Sequence, residues 1–166
     1  CVIGDFDSTI NSNRLDCLYI TLPSEKDFTD TEAAINHAIE LGIRDITVYG
    51  GIGGRLDHTL GNVGLLEKYL GKLDHLEFMD EKNSMQLLDG ESCSTTILTP
   101  ISNYRFFSLV SLDSAADGIS ITGAKYNLDN ASISRASTLC ISNEIILNQA
   151  HISVHKGKVL LIRSAD

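Results

Sequence analysis

The spacing of hydrophobic residues differs between the two halves of the chain. In the first half, short apolar runs alternate with segments whose apolar residues recur every three or four positions. The runs at 1–4, 17–20, 46–49 and 76–79 predict strands, and the segments between the later runs predict helices. Such alternation is typical of an α/β domain with a mostly parallel sheet and flanking helices.

Capping signals support the two predicted helices. Thr29 and Glu32 fit a capping box, so the first helix should begin near Asp30 and end before Gly42. The second helix should follow a glycine-rich run and end before Gly71. Its predicted apolar stripe consists of Leu56, Leu60, Val63, Leu66 and Leu70.

The second half shows no helical period and is rich in short β-type runs. Asp89-Gly90, Asp117-Gly118 and the segment 155–158 are turn signals between them. The predicted strands are 85–88, 95–98, 105–112, 118–122, 139–141, 145–147, 151–154 and 158–162. Evenly spaced short strands indicate an all-β sandwich. We therefore predict an α/β domain over 1–83 and a β-sandwich domain over 84–166.

Composition narrows the class of protein. The 166 residues are 43% hydrophobic, enough for a substantial core, and the net charge of −9 argues against a nucleic-acid partner. No apolar run approaches the ~20 residues that span a bilayer, so we expect no membrane partner. The four cysteines are scattered and form no C-x-x-C motif. This favours a reduced, cytoplasmic protein without a disulfide or zinc site.

Two carboxylates follow the first apolar run. In extended geometry Asp5 and Asp7 point the same way, while Phe6 points back into the protein. Ligands of open α/β sheets bind at the carboxyl ends of the strands. Two carboxylates there suit Mg²⁺, which completes its shell with water and phosphate. The alternative is a pair of aspartates that only hydrogen-bond a turn.

A second acidic segment precedes the first predicted helix. Asp27 and Asp30 flank Thr29 there, and Lys26 adds a positive charge. Acidic side chains at a helix N-terminus are favourable by themselves, which is the simpler interpretation. That interpretation explains one carboxylate better than two. A second carboxylate cluster beside the first would be repelled unless both share a cation.

The third predicted strand runs into a turn that contains four glycines in five residues, Gly50 to Gly54. A glycine-rich turn that enters a helix N-terminus is suited to phosphate. Arg55 offers a guanidinium fork to phosphate oxygens, with Asp57 and His58 close behind. The turn is neither a G-x-G-x-x-G nor a Walker A sequence, and the glycines alone are also explained by a tight turn.

Three segments together resemble thiamine pyrophosphokinase, of the bacterial type, in their order and spacing. They are residues 4–8 (GDFDS), 26–30 (KDFTD) and 53–62 (GGRLDHTLGN). Residues 123–128, the Ser142-Asn143-Glu144 triplet and residues 160–164 are also similar to that family. The chain opens without Met, inside a predicted strand. We therefore expect the family's N-terminal portion, with an Asp-Gly-Gly stretch near the nucleotide, to be absent.

The resemblance implies transfer of pyrophosphate from ATP to thiamine, which yields thiamine diphosphate and AMP. It implies Mg²⁺ as cofactor and a homodimer with active sites at the subunit interface. The implied catalytic residues are Asp5, Asp7, Asp27, Asp30, Arg55 and Asp57, with Asp5, Asp7 and Asp30 holding the metal. The implied ATP-binding residues are Ser8, Lys26, Thr29, Gly53, Gly54, Arg55 and His58, and the implied thiamine-binding residues are Ser142 and Asn143.

Two other functions stay open at this stage. The segment 2–10 also looks like the strand and D-x-D-x-T motif of haloacid-dehalogenase-type phosphatases. There Asp5 would be the nucleophile and Asp7 the general acid. The all-β second half, without a later acidic pair in a βα context, argues against this class. The other alternative is a non-catalytic nucleotide- or thiamine-binding module, and the retention of every acidic position argues against it.

Overall fold

The computed structural model describes residues 1–4, 16–92 and 94–166. The first half contains β1 (Val2–Gly4), β2 (Tyr19–Thr21), α1 (Asp30–Glu40), β3 (Asp45–Tyr49), α2 (Leu56–Lys68) and β4 (His75–Met79). The second half contains β5 (Asn83–Asp89), a 3-10 turn (Gly90–Ser92), β6 (Thr95–Leu98), β7 (Phe106–Ser111), β8 (Ala115–Thr122), β9 (Leu128–Ser134), β10 (Asn143–Glu144), β11 (Ala150–Ser153) and β12 (Lys158–Ser164).

The largest sheet has six strands in the order β10-β7-β12-β5-β4-β3. A second sheet has the order β6-β11-β8-β9, and β1 pairs with β2 in a third. Among the described strands, only β1 with β2 and β3 with β4 are parallel. The prediction of a mostly parallel sheet is therefore wrong. A tight turn after β4 reverses the chain, so β5 returns antiparallel to β4 in the same sheet.

Two hydrophobic cores lie on opposite faces of the six-stranded sheet. On one face, α1 and α2 contribute Ile35 and Leu66 to a core that also contains Phe78. On the other face, the four-stranded sheet packs against β5, β7 and β12. Because side chains alternate along a strand, β12 gives Leu160 to the helical core and Leu161 to the core between the sheets. One sheet thus serves both halves, and the division at residue 83 stays a prediction.

The helices begin and end close to the predicted positions, but the predicted stripe of α2 is wrong in part, since Leu66 and Val63 pack into the core and its other members do not. Thr29 caps α1, since its hydroxyl accepts from the Glu32 N–H at 3.2 Å. On α2, Leu56 and Leu60 are exposed. The buried stripe follows the spacing i, i+3, i+4, i+7 and includes a polar residue, which is why hydrophobicity alone missed it. It consists of Asn62, Leu65, Leu66 and Tyr69.

In the second half, two strand predictions are wrong and two strands were not predicted. The runs at 139–141 and 145–147 are not strands, and the apolar side chains Leu139, Ile146 and Leu147 are exposed. The strand in this region is the polar pair Asn143–Glu144. The pattern missed β9 because most of its residues are small or polar.

In the parts of the chain that the structure describes, neither helix combines the length and apolar character needed to cross a bilayer.

Candidate active site

The predicted carboxylate pair Asp5 and Asp7 lies outside the described residues, as does Ser8. The structure does describe the strand that precedes them. β1 pairs in parallel with β2, and the β1 residue Gly4 is buried. The carbonyl of Gly4 accepts from the Leu22 N–H at 2.9 Å. The roles predicted for the three residues stay predictions.

The segment before α1 forms a compact set of polar contacts. Lys26 Nζ lies 3.0 Å from Asp30 Oδ1 and donates to the carbonyl of Pro23 at 3.0 Å. Asp30 Oδ1 is buried, and among the described residues it has this ion pair but no contact with hydrogen-bond geometry. A neighbouring cation stabilises a buried carboxylate oxygen, and Lys26 supplies one here, so a metal ion would share or replace this ion pair. Thr29 uses its hydroxyl as the helix cap.

Two clefts flank this segment. One of about 460 Å³ places Asp30 against Ile3 of β1 and Tyr49 at the carboxyl end of β3. The other, of about 480 Å³, is lined by Lys26, Asp27 and Thr29 together with residues of α2. Asp30 therefore lies close to the carboxyl end of β3, where ligands of α/β sheets bind.

The glycine turn leaves β3 and enters α2. Gly50 donates its N–H to the carbonyl of Met79 at 2.9 Å, which holds the turn beside the end of β4. Gly51 admits no larger residue, because a Cβ there would lie 2.4 Å from Phe78 Cδ1. The buried Asn62 side chain donates to the carbonyl of Gly51 at 2.7 Å. Gly53 adopts a φ of 85°, a conformation that favours glycine.

The first turn of α2 already carries an ion pair. The Arg55 guanidinium contacts Asp57 through Nε at 3.1 Å and a terminal nitrogen at 2.6 Å. The hydrogen bond from Arg55 lowers the pKa of the Asp57 carboxyl, and Asp57 Oδ1 also accepts from the His58 N–H. The N–H of Gly53 donates to the Thr59 hydroxyl at 3.1 Å. At this turn, side chains of the chain itself therefore occupy part of the hydrogen-bonding capacity of Gly53 and Arg55.

The predicted thiamine residues stand side by side at β10. Ser142 is exposed and has a φ of 58°, an uncommon conformation that clusters at functional sites. The Asn143 side chain is 2% exposed. Its Nδ2 donates to the carbonyl of Tyr126 at 2.7 Å, and its Oδ1 accepts from the N–H groups of Tyr126 and Glu144 at 3.0 and 2.9 Å. The Asn143 amide is therefore engaged with the backbone.

Residues around Asn143 were not assigned a role from the sequence. Asn143 fixes the backbone at Tyr126, whose ring is 57% exposed. Glu144 accepts from Lys125 Nζ at 2.8 Å and from Arg105 Nε at 3.0 Å, and these bonds lower the pKa of its carboxyl. The sequence offered one signal for these residues, because segments 123–128 and 142–144 both resemble the family.

The two groups of site residues lie at opposite edges of the six-stranded sheet. The glycine turn follows β3 at one edge, and Ser142 precedes β10 at the other. Five strand spacings of ~4.8 Å put these edges roughly 24 Å apart. A single chain thus holds the groups on different sides of the molecule.

One of the three predicted metal ligands lies in the described part of the chain. Within residues 1–4, 16–92 and 94–166, no three His, Cys, Asp or Glu side chains are grouped to hold a metal ion. Two of the three predicted ligands lie outside that part of the chain. The third, Asp30, has a buried carboxylate oxygen that fits a cation.

Comparison with protein-family models defines the class. Residues 1–77 match the model "Thiamin pyrophosphokinase, catalytic domain". Residues 94–159 match the model "Thiamin pyrophosphokinase, vitamin B1 binding domain". The two models cover the two groups of candidate residues separately, with the glycine turn in the first and β10 in the second.

Individual relatives agree with these models. The chain is 34% identical over 169 residues to the thiamine pyrophosphokinase of Bacillus subtilis, covering 98% of this chain and 77% of that protein. The Bacillus subtilis crystal structure superposes with a TM-score of 0.88 at 33% identity, covering 99% and 78%. That of the Geobacillus thermodenitrificans enzyme gives 0.84 at 36% identity, covering 99% and 76%. The chain belongs to the thiamine pyrophosphokinase family.

Proposed function

We propose that the chain is an enzyme that transfers a pyrophosphoryl group from ATP to thiamine and releases AMP. Family membership supports this activity more strongly than the phosphatase or the non-catalytic alternative. The observation that carries the proposal is the position of the glycine turn and the first turn of α2, which follow the carboxyl end of β3. β3 also lines the cleft that contains Asp30. The proposed phosphate-binding turn and the acidic residue Asp30 thus lie at the same end of the sheet.

The nucleotide phosphates are proposed to lie at the glycine turn. Arg55 offers two parallel donors to phosphate oxygens after it exchanges Asp57 for the ligand. Lys26 supplies a second positive charge beside α1. In such transfers, positioning and charge stabilisation supply most of the catalysis. The remaining proposed ATP-binding residues are Ser8, Thr29, Gly53, Gly54 and His58.

Mg²⁺ is proposed to bind to Asp5, Asp7 and Asp30. When bound, the ion neutralises charge on the phosphate oxygens. Asp30 contributes a buried carboxylate oxygen to this set. Asp27 lies in the neighbouring cleft, where it is proposed to accept the proton of the attacking hydroxyl or to orient that group.

Thiamine is proposed to bind at β10. Ser142 is exposed there and offers a hydroxyl. Asn143 is proposed to act through Tyr126, since its amide binds backbone groups of Tyr126 and Glu144 in the described part of the chain. The exposed Tyr126 ring beside it provides an aromatic surface for a heterocycle.

A homodimer is proposed to complete each site. The roughly 24 Å between the two edges of the sheet supports assembly of each site from two chains. Leu139, Ile141, Ile146 and Leu147 are exposed around the thiamine residues, and exposed apolar groups of this kind favour a protein interface. A twofold dimer would place β10 of one chain beside the glycine turn of its partner.

The direct test is incubation of the purified protein with ATP, Mg²⁺ and thiamine, with product analysis by chromatography. We expect AMP and thiamine diphosphate in equal amounts. Release of inorganic phosphate with a covalent aspartyl phosphate would identify the phosphatase. Binding of ATP without turnover would identify the non-catalytic module.

Subunit complementation tests the shared site. At a thiamine concentration far below the raised KM expected for Asn143→Ala, the Asp30→Asn and Asn143→Ala variants should each have almost no activity alone, because each lacks one half of both sites. After random subunit exchange, half of the dimers are mixed and have one intact site, so activity should return to about a quarter of wild type. A pull-down with a tagged subunit verifies exchange. Exchange without any recovery would place the complete site in one chain.

A further inference from the structure

Asp80 is the first residue after β4, and four hydrogen bonds hold it in place. Its Oδ1 accepts from the N–H groups of Lys82 and Asn83 at 2.8 and 2.6 Å. Its own N–H donates to the carbonyl of Asn83 at 2.7 Å. Its carbonyl accepts from the Tyr104 hydroxyl at 2.6 Å. The Asp80 carboxylate is therefore preorganised, because the turn fixes one oxygen and thereby the direction of the other.

The second carboxylate oxygen of Asp80 faces the glycine turn. A Cβ built on Gly53 would lie 3.8 Å from Asp80 Oδ2. The hydrogen bond from Gly50 to Met79 joins the same turn to the end of β4. The turn that is proposed to bind phosphate and the carboxylate of Asp80 thus border one space.

The order of elements around this space is that of a nucleotide-binding βαβ unit. β3 is followed by the glycine turn, α2 and the parallel neighbour β4, with Tyr49 paired to Met79 at the carboxyl ends. In dinucleotide-binding βαβ units, the glycine turn takes the phosphates, and an acidic residue about 20 positions on hydrogen-bonds a ribose hydroxyl. Asp80 follows Gly53 by 27 positions and comes directly after β4, the parallel neighbour of β3.

Charge distinguishes a ribose contact from a phosphate contact. A carboxylate repels phosphate oxygens but accepts hydrogen bonds from hydroxyl groups. Asp30 lines a cleft at the edge of β3 that pairs with no other described strand, whereas β4 lies on the other side of β3. Asp80 is thus separated from the acidic residue proposed to hold the metal. We propose that Asp80 Oδ2 accepts a hydrogen bond from a ribose hydroxyl of ATP, an assignment that rests on the proposed function.

Kinetics with ATP, 2′-deoxy-ATP and 3′-deoxy-ATP test this assignment. Asp80→Asn keeps the oxygen that accepts from Lys82 and Asn83 and replaces the other oxygen with a donor. For wild type, we expect kcat/KM to fall about 10- to 100-fold when the contacted hydroxyl is removed, as for loss of a hydrogen bond to a charged group. Asp80→Asn should lower kcat/KM for ATP by a similar factor and abolish the discrimination, with the KM for thiamine unchanged.

Two further variants separate a ribose contact from an effect on folding. Glu81→Gln alters the exposed neighbouring carboxylate and should discriminate as wild type does. Asp80→Ser keeps an acceptor for the turn, lacks the second oxygen, and should lose the discrimination as Asp80→Asn does. Equal discrimination in wild type, Asp80→Asn and Asp80→Ser would overturn the ribose assignment alone. Absence of AMP from wild type with ATP and thiamine would overturn the proposed function itself.

Discussion

At the scale of single residues, the most informative side chain is a buried amide. The side-chain amide of Asn143 donates to and accepts from backbone groups of residues 126 and 144. A polar side chain with this many internal partners organises its surroundings, so its effect on thiamine would pass through the loop that carries Tyr126. The sequence predicted Asn143 as a site residue, which stays a prediction, but it could not show which atoms the amide contacts.

Asn143→Ala should therefore impair both stability and substrate binding. Removal of the amide breaks three part-buried hydrogen bonds to backbone groups of Tyr126 and Glu144, at a cost of about 1–3 kcal/mol for each group left unsatisfied. Urea unfolding should show the lower stability, and the KM for thiamine should rise. Ser142→Ala, at an exposed position, should raise the KM for thiamine with little change in the urea midpoint. Unchanged stability of Asn143→Ala would show that the amide is not structurally required.

The Glu144 carboxylate gives stability a predictable dependence on pH. Hydrogen bonds from Lys125 and Arg105 lower its pKa below the ordinary value of 4.5. A lowered pKa means that the stabilisation is present above 4.5 and is lost as the pH falls through the lower, folded-state value. Urea midpoints of wild type should exceed those of Glu144→Gln at neutral pH and converge with them in acid. Glu91→Gln, at an exposed glutamate, is the control, and a constant gap at every pH would contradict the assignment.

At the scale of elements, the glycines of the β3–α2 connection and of α2 differ in the space around them. Gly51 lies against the fully buried Phe78 ring, whereas a Cβ on Gly64 of α2 would meet nothing within 4 Å. Gly51→Ala should destabilise the protein by about 1–3 kcal/mol, the usual cost of overpacking. Gly64→Ala should stabilise it by about 0.5–1 kcal/mol through helix propensity. Thermal unfolding measures both, and equal effects would refute the packing at Gly51.

The same elements show why the sequence predicted some features and missed others. The boundaries of α1 came from its cap and its terminal glycine, which are local signals. The buried stripe of α2 depends on a contact between Asn62 and Gly51, 11 residues away, and hydropathy assigns the polar residue to solvent. The glycine turn was predicted as a site, but its adjacency to Asp80 depends on the parallel pairing of β3 with β4.

At the scale of the whole molecule, the six-stranded sheet joins the two halves that the sequence pattern separated. β5 pairs with β4 on one side and with β12 on the other, over seven residue pairs in the latter case. The sequence pattern could not show this, because the pairing of strands about 70 residues apart leaves no local signal. The change from alternating helices to consecutive strands marks where the topology changes, and the sheet continues across it.

A shared sheet predicts that the halves lose structure together. Leu160→Ala removes a buried β12 side chain from the core beneath α1 and α2, so we expect a loss of about 2–5 kcal/mol. Hydrogen exchange should accelerate in both α1 and β8 to the same degree. The matched control is Leu60→Ala on α2, because Leu60 is 62% exposed and its truncation should be neutral. Faster exchange in only one half would show that the halves unfold independently.

The central position of β12 also bears on how the protein is made. β12 lies between β5 and β7, yet a ribosome synthesises it after every other described strand. Protein synthesis proceeds at about 5–20 residues per second, so roughly 4–14 s pass between the synthesis of β5 and that of its neighbour β12, about 70 residues downstream. During that interval, nascent chains expose the unpaired backbone groups along the edges of β5 and β7 to solvent and to one another. Slow decoding after residue 89 should therefore lower the yield of this enzyme more than slow decoding before β5.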